Sequence, residues 1–243
     1  METMQPKEVD LDVWRGDGGG GGLVRYAVPL RDSQTILDAV TWIQRRLEPD
    51  LAYRFSCRVG MCGSCAMTVN GKPRWTCRTR LSDVTENGRV VVAPLDNLPV
   101  IKDLVCDFSR FFGKWGEAGG CFEPTATRRE GVAAVRPDSP SRRLAEAGIE
   151  CINCAVCYSA CDVVRWNPAY LGPAALNRAW TLVNDERDAA HGQRLRAVAG
   201  GGGCHNCHSH QGCATLCPNQ LNPTRSIAGL KRATALAALK GEM

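Results

Sequence analysis

Residues 56–66 read Ser56-Cys57-Arg58-Val59-Gly60-Met61-Cys62-Gly63-Ser64-Cys65-Ala66, with Cys77 further along the chain. Three thiols at this spacing need a loop that doubles back on itself, and Gly60 and Gly63 let the main chain close in without a Cβ in the way. The flanks supply a frame for such a loop. Downstream, Ala66 to Val69, an Asn70-Gly71 turn and Arg74 to Thr76 read as a hairpin, which delivers Cys77 back to the loop. Val90 to Ala93 reads as a further, last strand before Pro94. Upstream, Ile36, Leu37, Val40, Ile43 and Leu47 recur at helical spacing, with Thr35 and Asp38 as a capping-box-like start and Pro49 marking the end. Earlier still, Val9 to Val13 and then Val24, Tyr26, Val28 and Leu30 alternate with a period of two around a flexible turn at Asp17 and Gly18 to Gly22. Two hairpins, a helix and a closing strand predict a small mixed sheet packed on one helix.

The C-x4-C-x2-C...C spacing of Cys57, Cys62, Cys65 and Cys77 is that of plant-type ferredoxins, which bind a 2Fe-2S cluster. A structural zinc site prefers two C-x2-C knuckles, and only Cys62 and Cys65 form one. The second half carries two more groups. Cys151, Cys154, Cys157 and Cys161 follow the bacterial ferredoxin run C-x2-C-x2-C-x3-C. Cys207, Cys213 and Cys217-Pro218 repeat the frame with His210 in place of the second cysteine. In two-cluster ferredoxins the last cysteine of each run ligates the other cluster. That rule puts Cys151, Cys154, Cys157 and Cys217 around a 4Fe-4S cluster and leaves Cys161, Cys207 and Cys213 for a 3Fe-4S cluster. His210 or Cys204 as a fourth ligand to the last centre is the alternative, and zinc ribbons are the structural one. Cys106 and Cys121 have no partner spacing and read as small hydrophobes.

The remainder of the chain is consistent with two domains. Of 243 residues, 44% are hydrophobic and 23% charged, a balance that supports two modest cores. The boundary is expected near Phe108, giving residues 1–107 and 108–243. Leu104, Val105, Phe108, Phe111, Phe112 and Trp115 could form one helical face. Glu123 to Ser141, with Pro124, Pro137 and Pro140, reads as an irregular connection, and the rest as helices broken by the cysteine groups and Gly200 to Gly203. The fold class expected is α+β: an N-terminal β-grasp 2Fe-2S ferredoxin-like domain followed by a mainly α-helical bacterial-ferredoxin-like domain. Met1 to Asp10 holds no apolar run, so neither a secretory signal nor a transit peptide is read there. A net charge of +5 is mild and reads as a solvated surface, with contact to anionic lipid headgroups or an acidic partner as the alternative and no nucleic-acid partner expected. Neither glycine run has the strand–helix framing of a nucleotide loop. No general acid, base or nucleophile is evident, so the chemistry at both ends of an electron relay belongs to partners.

The whole chain resembles the iron-sulfur subunit of the succinate dehydrogenase and fumarate reductase family. The resemblance is carried by Ser56 to Ala66, Leu98 to Leu104, Cys151 to Cys161, Trp166-Asn167-Pro168, Leu171 to Leu176 and Cys217-Pro218 through Arg225. It implies a flavoprotein partner with FAD that oxidises succinate, membrane anchor subunits, and a quinone as electron acceptor near the 3Fe-4S cluster. Trp166 and His208 match positions that line the quinone site in relatives. It also implies a location at the cytoplasmic face of the bacterial inner membrane, peripheral through the anchors. His210 departs from the apolar or small residue expected there, and is read as tuning the terminal cluster or the quinone pocket. Rival readings are the reverse reaction, as a quinol:fumarate reductase, and a glycolate oxidase or heterodisulfide-type subunit, which would carry a cysteine at position 210. A zinc-stapled binding module is the non-enzymatic rival.

Overall fold

The computed structural model describes residues 8–131 and 134–243; Met1 to Lys7, most of the start considered above, lie outside the described residues, as do Val132 and Ala133 within the Glu123 to Ser141 connection. The chain forms two compact units, the first ending at Phe108 and the second beginning at Ser109. Together they make an α+β protein.

In the first unit, β1 (Glu8–Asp17) pairs antiparallel with β2 (Gly20–Pro29), placing Leu11 opposite Tyr26 and Asp17 opposite Gly20. The turn is tighter than the glycine run suggests, because Gly20 to Gly22 already belong to the strand. Helix α1 (Ile36–Arg46) starts at the capping box: the Thr35 side chain accepts from the Asp38 N–H, and the Asp38 carboxylate accepts from the Thr35 N–H. The hairpin of β3 (Ala66–Val69) and β4 (Lys72–Trp75) leads through a 3-10 turn containing Cys77 to the short α2 (Leu81–Val84). Strand β5 (Arg89–Ala93) then runs parallel to β1 and antiparallel to β3. Leu11, Val13, Val28, Val40, Ile43, Val69 and Val92 are wholly buried between the sheet and α1. Each such side chain contributes roughly 1.5–3 kcal/mol of hydrophobic stabilisation. The alternation in β1 fails once, at Asp12, whose carboxylate is buried but paired with Arg25 and Arg89.

Two further short strands, β6 (Val100–Lys102) and β7 (Val105–Cys106), extend the sheet beyond Pro99. Leu104 and Val105 therefore do not join the helical face expected for them. The cause is Asp103, buried with φ +50°, whose carboxylate accepts from Arg15 Nε, the Gly16 N–H and the Ala52 N–H and so fixes a turn. The helix begins later, as α3 (Ser109–Glu117), and buries Phe111 and Lys114 while Phe112 is half exposed.

The second unit continues with α4 (Pro140–Ile149), α5 (Val156–Ser159), α6 (Asp162–Trp166), α7 (Pro173–Val183), α8 (His191–Ala199), α9 (Gly212–Thr215) and α10 (Pro223–Leu239). Pro140 stands at the first helical position with Ser139 as N-cap, so the irregular connection ends two residues earlier than the prolines suggest. Helix α10 lies directly on α7. Ser226 Oγ donates to Asn177 Oδ1 at 2.8 Å, and a Cβ at Gly229 would meet the Trp180 ring at 2.5 Å. Buried Arg194 on α8 binds Asp188 at 2.6 Å and the carbonyls of Gly119 and Cys121, tying the chain after α3 to α8. Among the described residues no helix is long and apolar enough to cross a membrane.

Candidate metal centres

The loop before β3 folds its main chain around sulfur. The N–H groups of Met61 and Cys62 point at Cys57 Sγ at 3.2 and 3.3 Å, and the Cys57 N–H points at Cys62 Sγ at 3.4 Å. Gly60 and Gly63 both hold left-handed backbone, φ +77° and +70°. A Cβ on Gly60 would also press on Arg78 at 3.1 Å. Cys77 arrives from the adjacent turn, its thiol hydrogen-bonded to Cys65 and to the Gly60 N–H. Four thiols thus gather at one place. Their environments differ: the Ser64 hydroxyl chiefly, with nearby N–H groups, outweighs burial and pulls the Cys62 thiol down to about 6, while burial pushes Cys77 up to about 11. Backbone donors aimed at sulfur, with no side chain filling the loop, suit a 2Fe-2S cluster.

The second unit holds the same backbone device twice. Asn153 and Ala155, between Cys151 and Cys157, are left-handed at φ +55° and +62°, and Ser209 and Gln211, at the matching places between Cys207 and Cys213, are left-handed at φ +59° and +63°. Each pair leads into one short helix, α5 or α9. Four non-glycine residues in this region cost about 1–3 kcal/mol each and persist only where the surroundings dictate the loop. In both loops the first of these residues turns its N–H on the thiol two positions back: the Asn153 N–H bonds Cys151, and the Ser209 N–H reaches Cys207 Sγ at 3.4 Å.

The end of each run lies against the start of the other. After Cys217, Asn219 Nδ2 crosses to the carbonyl of Glu150 at 2.7 Å, beside Cys151. After Cys161, Asn167 Nδ2 crosses to Asn206 Oδ1 at 3.1 Å, beside Cys207. The thiols also lie close enough across the runs to act on one another, Cys157 on members of both groups. Cys157, pushed well up by burial, also feels Cys154, Cys151, Cys213 and Cys217, while Cys151 feels Cys217. Cys213, raised by burial, feels Cys161 and Cys207, and Cys161 feels Cys207. Among the described residues no three His, Cys, Asp or Glu side chains meet at a position for a single metal ion.

Around the second set, His210 Nδ1 sits 3.3 Å from Asp162 Oδ2, its ring lies 5.6 Å from Trp166 and 6.0 Å from His208, and Trp166 is 62% exposed. Cys204 is buried with its thiol 3.9 Å from Thr234 Oγ1 on α10. Cys106 is buried against the Leu95 carbonyl and Cys121 is exposed. Sequence reasoning missed three neighbours of the thiols. Thr224 Oγ1 lies 3.3 Å from Cys213 Sγ, Lys231 Nζ 2.6 Å from the Cys207 carbonyl, and the Tyr170 hydroxyl bonds Cys207. Their distance along the chain, 11 residues from Thr224 to Cys213 and 24 from Lys231 to Cys207, gives no local signal.

Residues 10–113 match a family model described as a 2Fe-2S iron-sulfur cluster binding domain, and residues 150–222 match a 4Fe-4S dicluster domain. These halves define an iron-sulfur protein with two ferredoxin-type parts. The chain is 36% identical over 219 residues to the fumarate reductase iron-sulfur subunit of Haemophilus influenzae, covering 84% of this chain and 83% of the relative. It is 35% identical over 200 residues to the succinate dehydrogenase iron-sulfur subunit of Paracoccus denitrificans, covering 81% and 74%. Among solved structures, a chain of the Mycobacterium smegmatis Sdh1 complex in the apo form superposes with a TM-score of 0.85 at 30% identity, covering 95% of this chain and 97% of that one. The chain belongs to the family of succinate dehydrogenase and fumarate reductase iron-sulfur subunits.

Proposed function

We propose that this chain is the electron-transfer subunit of a succinate:quinone oxidoreductase, taking electrons from the FAD of a flavoprotein partner and delivering them to a membrane quinone. The observation that carries the reading is the crossed placement of the two run ends, with Asn219 bound beside Cys151 and Asn167 bound beside Cys207. It supports Cys151, Cys154, Cys157 and Cys217 as ligands of 4Fe-4S and Cys161, Cys207 and Cys213 of 3Fe-4S, while the N–H groups aimed at Cys57 and Cys62 and the approach of Cys77 to Cys65 support those four as ligands of 2Fe-2S. The clusters, when bound, accept and pass on single electrons. The chain's own residues hold the thiols, aim N–H groups at several of them and bury Cys65, Cys77, Cys157 and Cys213. Trp166 and His208, both exposed beside the last set, are the residues proposed to meet the quinone.

In this reading the chain sits at the cytoplasmic face of the inner membrane, held there by anchor subunits. The relative in Haemophilus influenzae is named for fumarate reductase, which supports a second reading with the same ligands and the opposite direction, quinol:fumarate reduction. One preparation tests both. In the purified holo-complex, electron paramagnetic resonance should show an oxidised three-iron signal and a succinate-reducible 2Fe-2S signal. Succinate:quinone turnover should exceed quinol:fumarate turnover. A faster fumarate reaction selects the second reading, and absence of iron and acid-labile sulfide overturns both.

A further inference from the structure

Lys114 is only 5% exposed, so its ammonium is a buried charge. Its Nζ donates to the Tyr170 carbonyl at 2.6 Å and stands 5.5 Å from the centre of the Tyr158 ring. Among the described residues no carboxylate lies within ion-pair distance of it. Burial chiefly, with Arg110 one turn away, pulls this amine down to about 8, while Glu117 and the Cys161 thiolate act in the opposite direction. A buried cation is strongly disfavoured unless an anion offsets its lost hydration. The carbonyl and the ring supply dipoles but no charge.

The missing anion is next door. Tyr170, whose carbonyl holds Lys114, is itself buried, and its hydroxyl bonds Cys207; it feels Cys161 and Cys213 as well. Three thiolates with their iron and sulfide carry net negative charge, and more of it after accepting an electron. A fixed positive charge in a medium of low dielectric favours the more negative state.

We propose that Lys114 is the counter-charge of the centre held by Cys161, Cys207 and Cys213, a positioning residue that raises its reduction potential across Tyr170. This rests on the ligand sorting proposed above. The Lys114 site is made by this chain alone: α3 presents the amine, and the segment after α6 presents Tyr170.

The test is a redox titration of the holo-complex, following the three-iron resonance signal. Lys114→Met keeps an unbranched side chain one atom shorter and removes the charge. It should lower the one-electron equilibrium for reduction about tenfold, which is about 59 mV in midpoint, while Lys114→Arg stays near the wild-type value. A Met variant with full signal and an unshifted midpoint overturns the proposal. If the Met variant assembles without the three-iron signal, the Arg variant decides: wild-type signal and midpoint support a charge requirement, and their loss overturns it. A wild-type complex lacking a three-iron signal sinks the ligand sorting instead, which separates that failure from a failure of Lys114.

Discussion

The ammonium of Lys231, two turns into α10, donates to the carbonyl oxygen of Cys207 at 2.6 Å. One side chain of the last helix therefore pins the loop that carries the first thiol of the second run. Hydrogen bonds to charged groups contribute about 1.5–3 kcal/mol. Lys231→Met should lower the unfolding midpoint of the holo-complex and leave a larger share of molecules with less than full iron in the helical unit. Iron analysis with thermal scanning checks both, and unchanged values would show that the loop holds itself.

Arg194 and Asp188 form a buried ion pair, with side chains 3% and 0% exposed. Removing one partner of such a pair costs about 3–5 kcal/mol. Asp188→Asn should therefore destabilise strongly, and Arg194→Met at least as much, because Arg194 also donates to the carbonyls of Gly119 and Cys121; thermal unfolding midpoints check both.

The same pair predicts an acid limb. Burial pushes the Asp188 carboxyl up, but Arg194 and the two N–H groups outweigh it and hold it below its ordinary value. The unfolded chain then binds more protons than the folded one below the ordinary carboxylate range. This stabilisation is present above about pH 4 and is lost as the pH falls further. Unfolding midpoints recorded from pH 6 downward should show that loss, and in Asp188→Asn the limb should shrink.

Gly60→Ala should deplete the 2Fe-2S centre selectively. Left-handed backbone at φ +77° costs an L side chain about 1–2 kcal/mol, and the new Cβ would press on Arg78. The visible absorption of that centre reports the loss, while the iron of the helical unit stays. Cys106→Ser is the matching control: its thiol faces the Leu95 carbonyl, and all cluster signals should remain.

Stripping the metal should unfold the helical unit. Its loops hold left-handed residues at positions 153, 155, 209 and 211, and the thiols of distant segments meet only there. Far-ultraviolet circular dichroism after oxidative cluster loss should show helix disappearing. Retained helicity in an iron-free chain would contradict this.

The hairpins and α1 are legible in the sequence because each signal is local: an Asn-Gly turn, a Thr–Asp capping box and a period of two. The clustering of Cys57, Cys62, Cys65 and Cys77 is legible for the same reason. The strands β6 and β7 are not, because they exist through Asp103, whose partners Arg15, Gly16 and Ala52 lie 51 to 88 residues away. Nor does spacing reveal Lys114, since a lysine on an apolar helix face is ordinarily solvated. Its burial depends on Tyr170, which only the fold brings to it. The aromatic surroundings of His210 are similar: Trp166 and His208 are named by resemblance, but the Asp162 partner comes from tertiary placement.

The paired left-handed residues give both loops of the helical unit one mould, cast twice. The residues flanking Cys154 and those flanking His210 share left-handed backbone, so at that place the two loops differ in side-chain chemistry, a thiol in one and an imidazole in the other. A single substitution at position 154 or 210 therefore alters the donor set of one loop without requiring a new backbone for it.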